Sequence, residues 1–148
     1  MLKIGDKAPA IIGKDQDGNE IRLEAFLGKK VVLYFYPKDN TPGCTDQACD
    51  LRDNIGALKN AGYQILGVSI DDEKSHRKFI EKFSLPFPLI ADIDKKIVED
   101  YGVWVEKSMY GKTYMGTARV TFIIDENGLI ANIIDKVKTK EHTAQILG

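Results

Sequence analysis

Residues 31–36 read Val-Val-Leu-Tyr-Phe-Tyr, apolar at every position, and stop at Pro37. An unbroken apolar run of this length is the mark of a strand covered on both faces. The next apolar residues follow a helical spacing: Cys44, Ala48, Leu51, Ile55 and Leu58 recur at steps of four, three, four and three. That spacing predicts one helix of about four turns, stopped at Asn60-Ala61-Gly62. Residues 63–70 form a second run, apolar except at Gln64 and Ser69. Strand, helix and strand in that order make a βαβ unit, which requires a parallel pair with a right-handed crossover.

The flanking segments extend this nucleus. Ile11-Ile12 and Ile21-Arg22-Leu23 enclose Asp15-Gln16-Asp17-Gly18-Asn19, and Asp-Gly between short apolar runs predicts a hairpin over residues 10–24. A helix is expected over 72–83 with Phe79, Ile80 and Phe83 inward. Pro86 and Pro88 precede a short strand at 89–90, and a short helix should cover 95–101. Residues 102–118 show no clean periodicity and are rich in glycine and aromatics, so a long loop is expected there, of the kind that is functional or mobile. Strands at 120–124 and 129–134 flank Asp125-Glu126-Asn127-Gly128, a second hairpin turn, and a last helix is expected over 140–147. Together these elements predict an α/β protein of thioredoxin-like fold: a central mixed β-sheet flanked by helices, with an N-terminal β-hairpin.

At 148 residues and 43% hydrophobic content, the chain is expected to form one domain, residues 1–148. A formal net charge of −1 provides no basis for a nucleic-acid partner. The N-terminus meets Asp6 at once, so neither a signal peptide nor a membrane span is expected. Two cysteines are too few for a disulfide scaffold, and with no export signal expected, a reducing, cytoplasmic location is expected. There, closely spaced cysteines are catalytic, redox-active or metal-binding more often than structural.

Both cysteines lie just after the turn Pro37-Lys38-Asp39-Asn40-Thr41-Pro42-Gly43. Cys44 falls in the first turn of the predicted helix, where unpaired N–H groups and the positive end of the helix dipole favour a negative charge. It also opens the buried stripe, whereas Cys49 lies off it, on the flank shared with Arg52. Five residues along a helix separate Cα atoms by roughly 8.6 Å, and a disulfide requires less than about 7 Å. A bond between the two therefore requires the first helical turns to unwind.

Pro37, Thr41 and Cys44 fit the P-x-x-x-T-x-x-C signature of peroxiredoxins. The run 34–49 resembles the bacterioferritin-comigratory-protein (peroxiredoxin Q) branch, as do Leu66-Gly-Val-Ser-Ile-Asp, Leu85-Pro-Phe-Pro-Leu, Tyr101-Gly-Val-Trp and Arg119-Val-Thr-Phe-Ile-Ile-Asp. The resemblance implies a thiol peroxidase without cofactor or metal, acting on hydrogen peroxide and alkyl hydroperoxides. Cys44 would be the peroxidatic nucleophile and Arg119 the cation that favours its thiolate and binds the peroxide oxygens. Thr41 and the amides of Gly43 and Cys44 would bind the same oxygens, and Pro37 would shield them from water. Cys49 matches the resolving cysteine, giving an intramolecular disulfide that thioredoxin or a similar dithiol would reduce. A monomer is expected. Ser69 and His76 match the branch pattern but receive no catalytic role.

Each residue also has a simpler reading. Cys44 could be a small core residue, Cys49 a bystander thiol, Arg119 a surface charge at a strand end, and Thr41 a helix N-cap. His76 is expected to pack or to cap, and Trp104, Tyr110 and Tyr114 to serve packing, with walling of the peroxide entrance as the alternative for the three aromatics. Cys44, Cys49, His76 and His142 lack the compact spacing of a zinc site. Two rival activities are protein disulfide exchange, disfavoured by the missing C-x-x-C, and stoichiometric peroxide sensing without turnover.

Overall fold

The computed structural model describes all 148 residues. The N-terminal hairpin pairs β1 (Ile12–Lys14) with β2 (Glu20–Arg22) antiparallel. Its turn is tied by Asp15 Oδ1, which accepts from the amides of Asp17 (2.9 Å) and Asn19 (3.0 Å). After a single 3-10 turn, Leu23–Phe26, the chain enters β3 (Lys30–Phe35). Two helices follow, α1 (Pro42–Asp53) and α2 (Ile55–Asn60), then β4 (Tyr63–Ser69), α3 (Glu73–Phe83), β5 (Leu89–Ala91) and α4 (Lys96–Asp100). The last part holds β6 (Trp104–Met109), β7 (Lys112–Thr117), β8 (Val120–Ile124), β9 (Ile130–Ile134) and α5 (His142–Leu147).

The central sheet has the order β5-β4-β3-β8-β9. β3, β4 and β5 are parallel to one another, and β8 and β9 join antiparallel beyond β3, so the sheet is mixed as expected. β3 lies in the middle, and its alternating side chains divide the core in two. Val31, Leu33 and Phe35 join Leu66, Val68, Ile90, Val98, Tyr101 and Phe122 on one face. Val32, Tyr34 and Tyr36 face Cys44, Ala48, Leu51, Leu58, Phe79 and Ile146 on the other. A strand buried on both sides has no solvent face to alternate with, which accounts for its uninterrupted apolar sequence. Gly67 in β4 is required by this packing: a Cβ there would come within 2.6 Å of Leu89 Cδ2 and 3.0 Å of Tyr34 Cζ.

Three expectations are corrected. The single helix from Cys44 to Leu58 is interrupted at Asn54, whose backbone leaves the helical region (φ −114°, ψ 18°) and whose side chain donates to Asp50 O at 2.8 Å. Asparagine competes with the backbone for such bonds, and apolar spacing does not register the break. Residues 102–118 are not a loop: β6 and β7 pair antiparallel from Trp104 with Thr117 to Met109 with Lys112. Tyr110 and Gly111 turn the ribbon with φ of 52° and 77°, the left-handed pair that suits a two-residue hairpin. Most of this ribbon is exposed on both faces, so it carries no period-two pattern. For the same reason Tyr110 (97% exposed) and Tyr114 (46%) do not serve packing, whereas Trp104 lies half-buried against the core.

Candidate active site

The turn between β3 and α1 leaves the carboxyl end of the central strand, where open α/β sheets place their ligand sites. Pro37 is half-buried there. Asn40 takes a left-handed conformation (φ 57°), which asparagine tolerates better than most residues. Pro42 is the first residue of α1, where its missing N–H costs no hydrogen bond. Thr41 occupies the N-cap position without capping through its side chain; its hydroxyl donates instead to Lys38 O at 2.8 Å. The amides of Gly43 and Cys44, inside the first turn, have no intrahelical acceptor.

Cys44 is 2% exposed. Arg119 Nη2 donates to its Sγ at 3.3 Å, and Nη1 of the same guanidinium donates to Gln47 Oε1 at 2.7 Å. The sheet brings the arginine there. β3 and β8 pair antiparallel up to Phe35 with Val120, so Tyr36 and Arg119 are the next residues on either side of that ladder's end. Gly43 leaves room for the approach, since a Cβ at that position would stand 3.2 Å from Arg119 Nη2. Behind the pair, the Tyr34 ring stacks on Tyr36 with centroids 5.4 Å apart. The Tyr34 hydroxyl is buried without a protein partner. Its pKa is pushed well above the ordinary value, first by burial and then by the charges of Asp39 and Cys44, so it stays a neutral phenol.

Cys49 is half-buried and free, as is Cys44. α1 is continuous from Pro42 to Asp53, which keeps the two cysteines about 8.6 Å apart. Burial raises the Cys49 pKa; Arg52 opposes this, while Asp53 and Asp46 add to it. The fold thus brings Cys44, Arg119, Gly43, Thr41 and Pro37 to one turn, and places Cys49 nearby but out of bonding reach.

Sequence reasoning did not single out two further residues. Gln47 is fully buried and orients the arginine, while its Nε2 has no partner in the protein. A signal for it existed, because Gln47 lies three residues after Cys44 and beside Ala48 on a stripe otherwise apolar. Lys107 reaches in from β6, its amine donating to Thr117 O at 2.5 Å. Its pKa is lowered by burial and then by Arg119, while Cys44 draws it back up. That residue belonged to a segment without readable periodicity. His76 is buried as expected, yet polar partners and not packing alone hold it: its Nδ1 lies 2.6 Å from Asp39 Oδ2.

Comparison with known proteins identifies the family. Residues 4–133 match the AhpC/TSA family model. Peroxiredoxin Bcp of Escherichia coli is 48% identical over 146 residues, covering 99% of this chain and 94% of that protein. A putative peroxiredoxin bcp of Coxiella burnetii is 46% identical over 147 residues, covering 99% and 97%. Among solved structures, a cysteine-to-serine variant of Xylella fastidiosa PrxQ superposes with a TM-score of 0.93 at 30% identity, covering 99% of this chain and 94% of that one. A Xanthomonas campestris bacterioferritin comigratory protein, solved as trapped intermediate and ligand complexes to study alkyl peroxide reduction, gives 0.87 at 37% identity, covering 93% and 87%. With a family model matched over most of its length and relatives of this likeness, the chain belongs to the AhpC/TSA family, in its Bcp/peroxiredoxin Q branch.

Proposed function

We propose that residues 1–148 act as a single thiol peroxidase domain in which Cys44 reduces hydrogen peroxide and alkyl hydroperoxides. The Cys44 thiolate attacks the terminal oxygen, the O–O bond breaks, and the alkoxide or hydroxide that leaves is protonated by solvent. Cys44 is left as the sulfenic acid. Negative charge moves from sulfur to the departing oxygen, so a fixed cation and aimed N–H donors stabilise the transition state. Arg119 supplies the cation; the amides of Gly43 and Cys44 are the donors. Thr41 takes part through the lone pairs of its hydroxyl, whose proton goes to Lys38 O. Pro37 covers the site from water.

Cys49 then attacks the sulfenic sulfur as thiolate and expels hydroxide, forming the Cys44–Cys49 disulfide. A dithiol such as thioredoxin reduces it by exchange. Because α1 holds the two residues apart, resolution passes through an unwound form of its first turns. No helix of the structure is long and apolar enough to cross a membrane, and we place the enzyme, as a monomer, in the reducing cytoplasm.

The observation that carries this reading is the Arg119–Cys44 contact at 3.3 Å, at the open N-terminal turn of α1. Peroxide consumption with thioredoxin or dithiothreitol as reductant tests it. The Cys44→Ser variant should consume none above background, and retained turnover would refute the assignment.

A further inference from the structure

Asp39 is buried to 7% exposure although its neighbours Lys38 and Asn40 are both exposed. Its side chain draws it inward. Oδ1 accepts from the Tyr36 hydroxyl at 2.5 Å, and Oδ2 accepts from Ser75 Oγ at 2.8 Å and faces His76 Nδ1 at 2.6 Å. The backbone of the same residue is held as well: Asp39 N donates to Asp71 Oδ2 at 2.8 Å, and that carboxylate also accepts from Ser69 Oγ at 2.7 Å. The other ring nitrogen of His76, Nε2, faces Ile90 O at 3.0 Å. Both nitrogens of this fully buried ring thus have a polar partner. One loop residue is thereby tied to the end of β3, the end of β4, the start of α3 and the backbone of β5.

This is the one buried side-chain tether of the catalytic turn. Its other side-chain bonds are local or exposed: Thr41 to Lys38 O, and Lys82 Nζ to Asn40 Oδ1 at 3.3 Å. Past Asp39, the left-handed Asn40 and the N-cap Thr41 launch α1, so the position of residue 39 sets where Gly43 and Cys44 meet Arg119. A second tether lies beyond the cysteines, where Asp50 Oδ2 accepts from Thr143 N at 2.7 Å and joins α1 to α5. Residues 40–49, which contain both cysteines, lie between the two.

We propose that Asp39 and His76 are positioning residues of the peroxidase. They clamp the upstream end of the segment that must unwind for disulfide formation, and so set the balance between its helical and unwound forms. The proposal rests on the thiol peroxidase reading above. Loosening the clamp lowers the population that attacks peroxide and raises the population in which Cys49 reaches the sulfenic acid. It also shortens the time during which a second peroxide can oxidise Cys44 to the sulfinic acid.

The test uses Asp39→Asn, which replaces one of the two accepting oxygens by an amide NH2 and so sets a donor against the Tyr36 hydroxyl or against Ser75 and His76, and His76→Leu, which keeps volume but removes both ring nitrogens. His76→Asn, which retains a donor near the Nδ1 position, is the rescue variant. Losing one charge-assisted bond should slow the first oxidation of Cys44 about tenfold and speed disulfide formation by a similar factor. Under excess peroxide, intact mass should show a smaller sulfinic share than wild type in both disruptive variants, and a near wild-type share in His76→Asn. In the reduced proteins, amides of residues 43–49 should exchange faster while those of β3 and β8 do not. A purely structural role would lower Tm and leave the sulfinic-to-disulfide ratio and the local exchange unchanged. That outcome overturns the proposal, and either disruptive variant alone suffices to show it. Wild-type Cys44 that fails to oxidise would instead refute the reading of the site, and the proposal with it.

Discussion

Arg119 Nη2 stands 3.3 Å from Cys44 Sγ across 75 residues of sequence. The contact follows from two independent placements. The antiparallel register of β3 and β8 sets Arg119 beside Tyr36 at the sheet end, and the phase of α1 turns Cys44 toward the same end. The guanidinium is a fork, with one arm on sulfur and the other on Gln47.

On the proposed reading, that fork makes Arg119 the partner whose loss slows Cys44 most. Arg119→Met should slow the first turnover with hydrogen peroxide by about 10²–10³-fold, the scale for removing one preorganised donor to a developing charge. Arg119→Lys keeps the charge but cannot make both bonds, and should fall between. Stopped-flow measurement under single-turnover conditions decides this; an Arg119→Met enzyme as fast as wild type would rule the role out.

Gln47 acts through the arginine. Gln47→Leu preserves volume while leaving Nη1 without its acceptor, so peroxide reduction should slow by about tenfold, the scale of one bond to a charged group. Its disulfide-forming step should not slow, because Gln47 does not touch Cys49 and losing the Arg119 bond removes a restraint on the segment that unwinds. Rapid-quench mass spectrometry separates the two steps, and an equal slowing of both would contradict the assignment.

Burial holds the Cys49 thiol above its ordinary pKa while α1 is intact. In an unwound segment the same thiol ionises at its ordinary value. As pH rises from that value toward the raised one, the unwound form gains thiolate and the helical form does not, so the helical form loses ground. Disulfide formation should therefore accelerate with pH across this window, followed by quenching after one equivalent of peroxide between about pH 6 and about pH 10. Asp46→Asn removes one of the charges that raise the Cys49 pKa and should move the rise to lower pH. A rate independent of pH would sink this account.

Gly67 tests the packing behind the site. Gly67→Ala forces a methyl to within 2.6 Å of Leu89 Cδ2 and 3.0 Å of the rigid Tyr34 ring. Overpacking of this kind should cost about 1–3 kcal/mol, read as a lower Tm and a lower urea midpoint. Unchanged stability would show that Tyr34 and Leu89 can move aside freely.

The amino-acid order by itself determined what depends on local periodicity. The apolar run into β3, the stripe from Cys44 and the turn chemistry of residues 37–43 specify a strand, a helix and a cysteine at the helix start. These features report burial along one element, and burial along one element is what a periodic pattern encodes. The ribbon of β6 and β7 escaped because both its faces meet solvent, which leaves nothing to alternate. The break at Asn54 escaped because a side-chain bond to Asp50 O, not a change of apolar spacing, makes it. Tertiary structure alone decided the partners. Gln47 shares the stripe of Cys44 but gains its role only when β8 delivers Arg119, and Asp39 meets His76 only because β3, β4 and α3 end side by side. Such contacts depend on strand register and on where separate elements terminate, and no spacing within either segment records them.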